Sequence, residues 1–132
     1  MPTAKKKINP RAMAAQVIEQ VLAKSRYLDT ALTDAQARLP RGQAHEAALI
    51  QEMAYGTLRW FHQLEAIARQ LLARPLKPKD QDIHALLLLG LYQLRHMRTA
   101  THAAVTETVE AAEALKKPWA KNLLNACLRS YL

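Results

Sequence analysis

The sequence predicts an all-α fold, a single bundle of about seven helices, from its composition and from the spacing of its apolar residues. Apolar residues make up 50% of the 132 positions, and Leu and Ala dominate them, whereas there are only 3 Gly and 1 Phe. This composition favours helices over strands. Apolar side chains recur at the i, i+3, i+4, i+7 spacing of a helix face, and no segment alternates as a strand does.

The first half of the chain is predicted to hold four helices. Asn9-Pro10 provides a start for the first, because Asn accepts from free backbone N–H groups and Pro suits the first helical position. The third helix is expected to start near Gly42, and Gly56 is expected to break or bend the chain. The fourth helix then carries Trp60 on its core-facing stripe.

The second half is predicted to hold three more helices after a linker. Two prolines within residues 76–79 exclude a continuous helix there, so this segment separates the two halves of the bundle. Residues 83–94 are apolar on nearly every side, which places the fifth helix in the centre of the domain. The last helix is expected to start at Pro118, with Trp119 facing inward.

The excess of positive charge predicts contact with a polyanion. Lys and Arg number 19 against 11 Asp and Glu, a net charge of +8, and such an excess is typical of nucleic-acid binding. A lysine-rich surface without that role explains the composition equally well. Residues 1–8 are predicted to form a flexible basic arm in front of one domain, residues 9–132, and no acidic residue precedes Glu19.

Two sets of basic residues are candidates for RNA contact. The primary set, on the arm and at the start of the first helix, is Lys5, Lys6, Lys7 and Arg11. Such cations bind phosphates without reading sequence, although a lysine-rich tail without function is the plain alternative. The secondary set is Arg59, Arg95 and Arg98. Arg59 suits an internal pair with a carboxylate equally well.

Catalytic and metal-binding patterns are missing from the sequence. His45-Glu46 begins a zinc pattern, but Leu49 stands where the second His is required. The glycines are isolated, so no glycine-rich cofactor loop is expected. The single cysteine, Cys127, excludes an internal disulfide and fits a helix core. We therefore expect no metal, no cofactor and no enzymatic activity in this chain alone.

The sequence also bears on location and chain boundaries. No apolar segment follows the N-terminal lysines, and no apolar run approaches the ~20 residues of a membrane span. We therefore expect a cytoplasmic protein that does not contact the membrane. The chain ends at Ser130-Tyr131-Leu132, directly after an apolar helix, which is typical of a segment cut at a domain boundary.

Several segments together carry a family resemblance through their order and spacing. They are Arg11-Ala-Met-Ala-Ala-Gln, Gln51-Glu-Met-Ala-Tyr-Gly-Thr-Leu-Arg-Trp60, Leu71-Leu-Ala-Arg-Pro-Leu, Gly90-Leu-Tyr-Gln-Leu94, His102-Ala-Ala, Glu107-Thr-Val-Glu110 and Asn125-Ala-Cys-Leu-Arg129. In this order they resemble the NusB-like helical domain, and specifically the version at the front of the ribosomal RNA small-subunit methyltransferase B family. The resemblance covers nearly the whole chain. It implies two packed three-helix groups plus a further helix.

The resemblance also implies a function. In NusB-like proteins the arginine-bearing N-terminal helix contributes to RNA binding, which maps onto Arg11 and, less directly, the preceding lysines. In the methyltransferase branch the domain precedes a catalytic domain that uses S-adenosylmethionine to methylate cytosine at carbon 5 of 16S ribosomal RNA. The cofactor is therefore expected in that domain, and the implied partners are ribosomal RNA and the catalytic domain of the same protein.

Two alternatives to the leading interpretation stay open from the sequence. One is a stand-alone NusB-type transcription antitermination factor that binds RNA and a ribosomal protein. The other is a helical module whose main task is to dock on a catalytic domain. A structural ion pair is also predicted, in which Arg129 reaches Glu107 or Glu110 across the bundle.

Overall fold

The computed structural model describes residues 7–132, which form seven α-helices and no strand. The helices are α1 (Pro10–Lys24), α2 (Leu28–Ala37), α3 (Ala47–Arg59), α4 (Phe61–Leu71), α5 (Gln81–His96), α6 (Thr101–Ala114) and α7 (Ala120–Tyr131). Short 3₁₀ helices precede α3 at Arg41–Glu46 and α5 at Pro78–Asp80. The predicted all-α class is confirmed.

The helices pack in two groups. One group is α1, α2 and α3, and the other is α5, α6 and α7, with α4 packed against α5 and α7. The groups join where α1 and α3 lie against α5. The linker predicted at residues 76–79 falls between α4 and α5, as expected from its two prolines.

Helix α5 is the centre of the bundle, as its all-round apolar sequence predicts. Ile83 and every residue from Ala85 to Gln93 are buried. Gly90 permits a close approach of neighbouring helices, because a Cβ atom there would lie 2.9 Å from Leu128 and 3.0 Å from Thr108. α6 and α7 therefore pack directly on the α5 backbone at this position.

The start of α1 follows the prediction from Asn9-Pro10. The Asn9 Oδ1 atom accepts hydrogen bonds from the backbone N–H groups of Arg11 and Ala12, each at 3.0 Å. Ile8, the last residue of the predicted arm, is fixed to the bundle, because its N–H and carbonyl group both bond to the Gln43 amide, at 2.7 and 2.6 Å. Lys5 and Lys6 lie outside the described residues.

Three details of the predicted helices are wrong. Gly56 lies inside α3 and does not break it; the chain turns at Trp60, between α3 and α4. The third α-helix starts at Ala47, after a 3₁₀ helix, instead of near Gly42. The last starts at Ala120, and Trp119 just before it is 53% exposed. Apolar spacing identifies a helix face but not how far a neighbouring helix covers it.

Candidate nucleic-acid interface

The guanidinium of Arg11 lies inside the bundle, not on its surface. The residue is only 8% exposed. Its Nε donates to Gln93 Oε1 at 2.8 Å, and its Nη1 lies 2.9 Å from a carboxylate oxygen of Glu107. Gln93 in turn donates from Nε2 to Thr108 Oγ1 at 2.8 Å. This buried network therefore ties α1 to α5 and α6.

The electrostatic surroundings of Arg11 are acidic. Burial lowers the pKa of its guanidinium, while Glu107 and Glu46 act in the opposite direction. A cleft of about 550 Å³ beside Arg11 is lined by these two glutamates and by Glu110, with Lys7 at its edge. Carboxylates at this density repel phosphate. The geometry assigns Arg11 to holding the helices together, whereas the sequence predicted a phosphate contact. Lys7, also in the primary set, is exposed.

The predicted ion pair of Arg129 is wrong. Arg129 is exposed on α7, and its Nε donates to Asn125 Oδ1 at 2.9 Å. The Glu107 carboxylate pairs instead with Arg11, and Glu110 lies 3.5 Å from Lys121. Helix α6 presents both glutamates to different neighbours than the sequence indicates, because its packing against α1 brings Glu107 within reach of Arg11.

The secondary set of arginines lies around the ends of α3 and α5. Arg59, Arg95 and Arg98 are all exposed. Arg95 Nε donates to Gln63 Oε1 at 2.9 Å, and its Nη1 donates to the Tyr131 hydroxyl at 3.1 Å. Within residues 7–132, no carboxylate forms an ion pair with any of the three arginines. The internal pair considered for Arg59 is therefore not formed.

An aromatic stack stands between these arginines. The rings of Trp60 and His96 are parallel to within 13°, with centroids 4.4 Å apart. On α5, Tyr92 lies one turn before His96, with ring centroids 5.7 Å apart and planes at 29°. We call Trp60, His96 and Tyr92, with the three arginines, the aromatic–basic patch. Sequence reasoning missed the stack, and its only signal was the i, i+4 spacing of Tyr92 and His96 on one helix face.

The patch keeps its histidine neutral and its tyrosine protonated. Burial, assisted by the nearby charge of Arg95, lowers the pKa of His96. Burial and Glu52 raise the pKa of the Tyr92 hydroxyl, and Arg59 acts in the opposite direction. Arg98 and Glu52 line one shallow cavity with His96. The positive charge of the patch therefore resides on its arginines.

A comparison with protein families identifies the fold family. The NusB family model matches residues 8–132, which is nearly the whole chain. The chain belongs to the NusB family. The resemblance stated from the sequence motifs is thereby confirmed.

Relatives of this NusB domain carry the name ribosomal RNA small subunit methyltransferase B. The protein of that name from Vibrio vulnificus is 49% identical over 124 residues, which is 94% of this chain and 28% of the relative. The one from Pseudomonas putida is 47% identical, covering 92% of this chain and 27% of the relative. The probable ribosomal RNA small subunit methyltransferase B from Coxiella burnetii is 46% identical, covering 95% of this chain and 27% of the relative. The chain thus spans little more than a quarter of these relatives.

Three features of the described residues bear on cofactor and metal chemistry. At Gly56 and Gly90, side chains of neighbouring helices occupy the space beside the glycine, whereas the space beside Gly42 is open. No group of three metal-ligating His, Cys, Asp or Glu side chains occurs among the residues that the structure covers. Burial raises the pKa of the Cys127 thiol, which disfavours the reactive thiolate.

None of the helices described in the NusB domain has both the length and the apolar character that a membrane crossing requires.

Proposed function

We propose that this NusB domain binds small-subunit ribosomal RNA and positions it for a cytosine-C5 methyltransferase domain of the same protein. The names of the relatives support this proposal, since proteins called ribosomal RNA small subunit methyltransferase B match nearly all of this chain. These names favour the methyltransferase branch over a stand-alone antitermination factor. In this proposal the chemistry and S-adenosylmethionine belong to the rest of the parent protein, which acts in the cytoplasm.

The observation that supports RNA binding best is the grouping of three arginines, without carboxylate partners among the described residues, around one aromatic stack. Four cations elsewhere on the described surface pair with carboxylates: Arg26 with Asp34, Arg69 with Glu65, Lys117 with Asp80 and Asp82, and Lys121 with Glu110 and Glu113. Other cations of the described surface, among them Lys24, Arg38 and Arg41, are exposed without an ion pair but have no aromatic stack beside them. Arg59, Arg95 and Arg98 form no ion pair among residues 7–132, and the two hydrogen bonds of Arg95 go to the neutral side chains of Gln63 and Tyr131. Charge that is not neutralised within the protein attracts phosphates, and each contact releases counterions from the RNA.

The role of such binding is to hold the substrate near the catalytic domain. A tethered RNA site raises the local concentration of the target nucleotide without changing the chemical step. This role also requires an intramolecular contact or a short tether between the two domains. In this proposal Lys5, Lys6 and Lys7 add positive charge for RNA, while Arg11 stabilises the bundle.

The test is RNA binding by the chain of residues 1–132, measured with fragments of 16S ribosomal RNA over a range of salt concentrations. The triple variant R59E/R95E/R98E is expected to lose most of the affinity, and K5E/K6E/K7E tests the arm separately. A matched control, K24E/R38E/R41E, changes the net charge equally at exposed positions on the first helix group.

Two results decide the proposal. Steeply salt-dependent binding that R59E/R95E/R98E largely loses and K24E/R38E/R41E nearly retains supports an RNA site at the patch. Absence of binding by the wild-type chain at low salt contradicts the proposed function. Equal losses of affinity in R59E/R95E/R98E and K24E/R38E/R41E contradict the location of the RNA site at the patch.

A further inference from the structure

We propose that Trp60 stacks an unpaired RNA base, so that the aromatic–basic patch binds single-stranded RNA through its bases as well as its phosphates. This inference rests on the proposed function and goes beyond it by naming the kind of RNA and the group that contacts it. A phosphate site alone requires only the arginines. The aromatic stack between them indicates a second type of contact.

Trp60 is exposed in a way that a core residue is not. It remains 40% exposed although the His96 ring covers it at 4.4 Å. Leaving so much indole surface in water costs free energy that a buried position recovers. An indole supported on one side and open to solvent matches the platforms on which nucleic-acid-binding proteins stack bases.

The platform is held rigid from below. A Cβ atom on Gly56 would lie 2.0 Å from Tyr92 Cζ, so Tyr92 occupies the space that a side chain at position 56 fills in other helices. Tyr92 then supports His96, and His96 supports Trp60. Gly56 is thus required for the close packing of α3 against α5, and this packing places the stack at the surface.

Gln63 fixes the orientation of the two polar groups beside the indole. Its Oε1 atom accepts from Arg95 Nε at 2.9 Å and lies 2.8 Å from His96 Nε2. One amide oxygen therefore orients both the arginine and the histidine ring on which the indole rests, and it assigns the proton of His96 to Nε2. A site ordered before binding loses less side-chain entropy when the ligand arrives.

The arrangement favours single-stranded RNA over a duplex. Bases in a duplex are already stacked on one another, whereas loops and bulges present free base faces to aromatic side chains. Arg59 directly precedes Trp60 in the chain and lies near Tyr92, and Arg95 and Arg98 lie beside His96. Among the described residues, Glu52 is the one carboxylate that lines the cavity beside His96 and Arg98. The three arginines of the patch therefore outnumber it, and the net charge of the patch is positive.

Tryptophan fluorescence tests the stacking directly, because the chain contains 2 Trp. The variant W119F leaves Trp60 as the only tryptophan, and W60F leaves Trp119 as the matched control; excitation at the red edge of the absorption band avoids the tyrosines. Each is titrated with a short oligouridylate, with a fully paired, blunt-ended RNA duplex of equal charge, and with inorganic polyphosphate as a probe that has charge but no bases.

We expect oligouridylate to quench Trp60 in W119F and to leave Trp119 in W60F nearly unchanged. Polyphosphate is expected to bind without quenching. In the wild-type background, W60A is expected to weaken oligouridylate binding by roughly fivefold or more, while W60F retains most of it. Circular dichroism of W60A and W60F establishes that both remain helical.

Three other outcomes overturn the inference in distinguishable ways. Salt-dependent RNA binding with no quenching of Trp60 and no loss in W60A leaves the proposed function intact and removes stacking. Equal affinity for the duplex and for oligouridylate removes the preference for single strands. Failure of the wild-type chain to bind any of the RNAs at low salt contradicts stacking and the proposed function together.

Discussion

Arg11 and Arg95 make the same hydrogen bond in opposite environments. Each donates from Nε to the Oε1 atom of a glutamine, Arg11 to Gln93 at 2.8 Å and Arg95 to Gln63 at 2.9 Å. Arg11 is buried and also pairs with Glu107, whereas Arg95 is exposed and has no carboxylate partner among the described residues. The surroundings, and not the residue type, decide which arginine supports the fold and which remains available to a ligand.

The largest expected effect is on stability, at Arg11. R11A leaves the buried amide oxygen of Gln93 without its donor, and an unsatisfied buried acceptor costs about 1–3 kcal/mol. Glu107 is 55% exposed and recovers water, so we expect a total loss of about 2–3 kcal/mol. Urea unfolding measures it. R95A is the matched control, expected within about 0.5 kcal/mol of wild type. Equal unfolding midpoints for R11A and wild type would show that the network is not stabilising.

A smaller loss of stability is expected at Gly56, against which Tyr92 of the aromatic–basic patch packs. G56A forces Tyr92 to move and overpacks the contact between α3 and α5, at a cost of about 1–3 kcal/mol. Thermal unfolding measures the cost, and RNA binding should weaken because the stack shifts. G42A is the control, since a Cβ atom there meets nothing within 4 Å. If G56A is as stable as G42A, the Tyr92 side chain can change its conformation without cost, and the contact between α3 and α5 is not tightly packed.

The two glutamines offer a finer separation. Q63A removes the acceptor shared by Arg95 and His96 at the surface, so stability should change by about 0.5 kcal/mol or less. RNA affinity should fall by a few-fold because the patch loses its order. Q93A removes the buried acceptor of Arg11, so we expect this variant to lose stability and to keep its RNA affinity. Parallel unfolding and RNA titrations measure both, and a Q63A protein with unchanged RNA affinity argues against a preordered patch.

The smallest expected effect is the pH dependence at His96. Because the pKa of His96 is lowered in the folded protein, the unfolded chain binds a proton more readily. The stability that neutral His96 contributes is present above the ordinary histidine pKa and is lost as pH falls through the folded pKa. The residue is half-exposed, so the change should be slight. Comparing wild type with H96N between neutral and mildly acidic pH isolates it, and identical pH profiles would contradict it.

Much of the fold could be predicted because local signals and packing agree. Asn9-Pro10 starts α1, and the all-round apolar sequence of α5 places it in the centre. These predictions depend on spacing and capping within one helix. The environment of Arg11 depends on Gln93 and Glu107, which lie far away in sequence and meet it only when α1 packs against α5 and α6.

The candidate site could be predicted only in part, because it also depends on contacts between different helices. Arg59, Arg95 and Arg98 were identified from charge alone, but the sequence did not indicate that Trp60 completes the patch. Its position on an apolar stripe predicted burial, and the turn between α3 and α4 leaves it exposed. Helix periodicity describes one helix at a time, whereas the patch forms from the ends of two.

The most direct test measures unfolding and RNA affinity on the same two proteins, R11A and R95A, at a temperature where both are folded. R11A should unfold at lower urea and bind RNA like wild type. R95A should unfold like wild type, bind RNA more weakly, and lower the salt slope by roughly 0.7 for single-stranded RNA. A folded R11A that loses as much RNA affinity as R95A would contradict the division between a structural and a ligand-binding arginine.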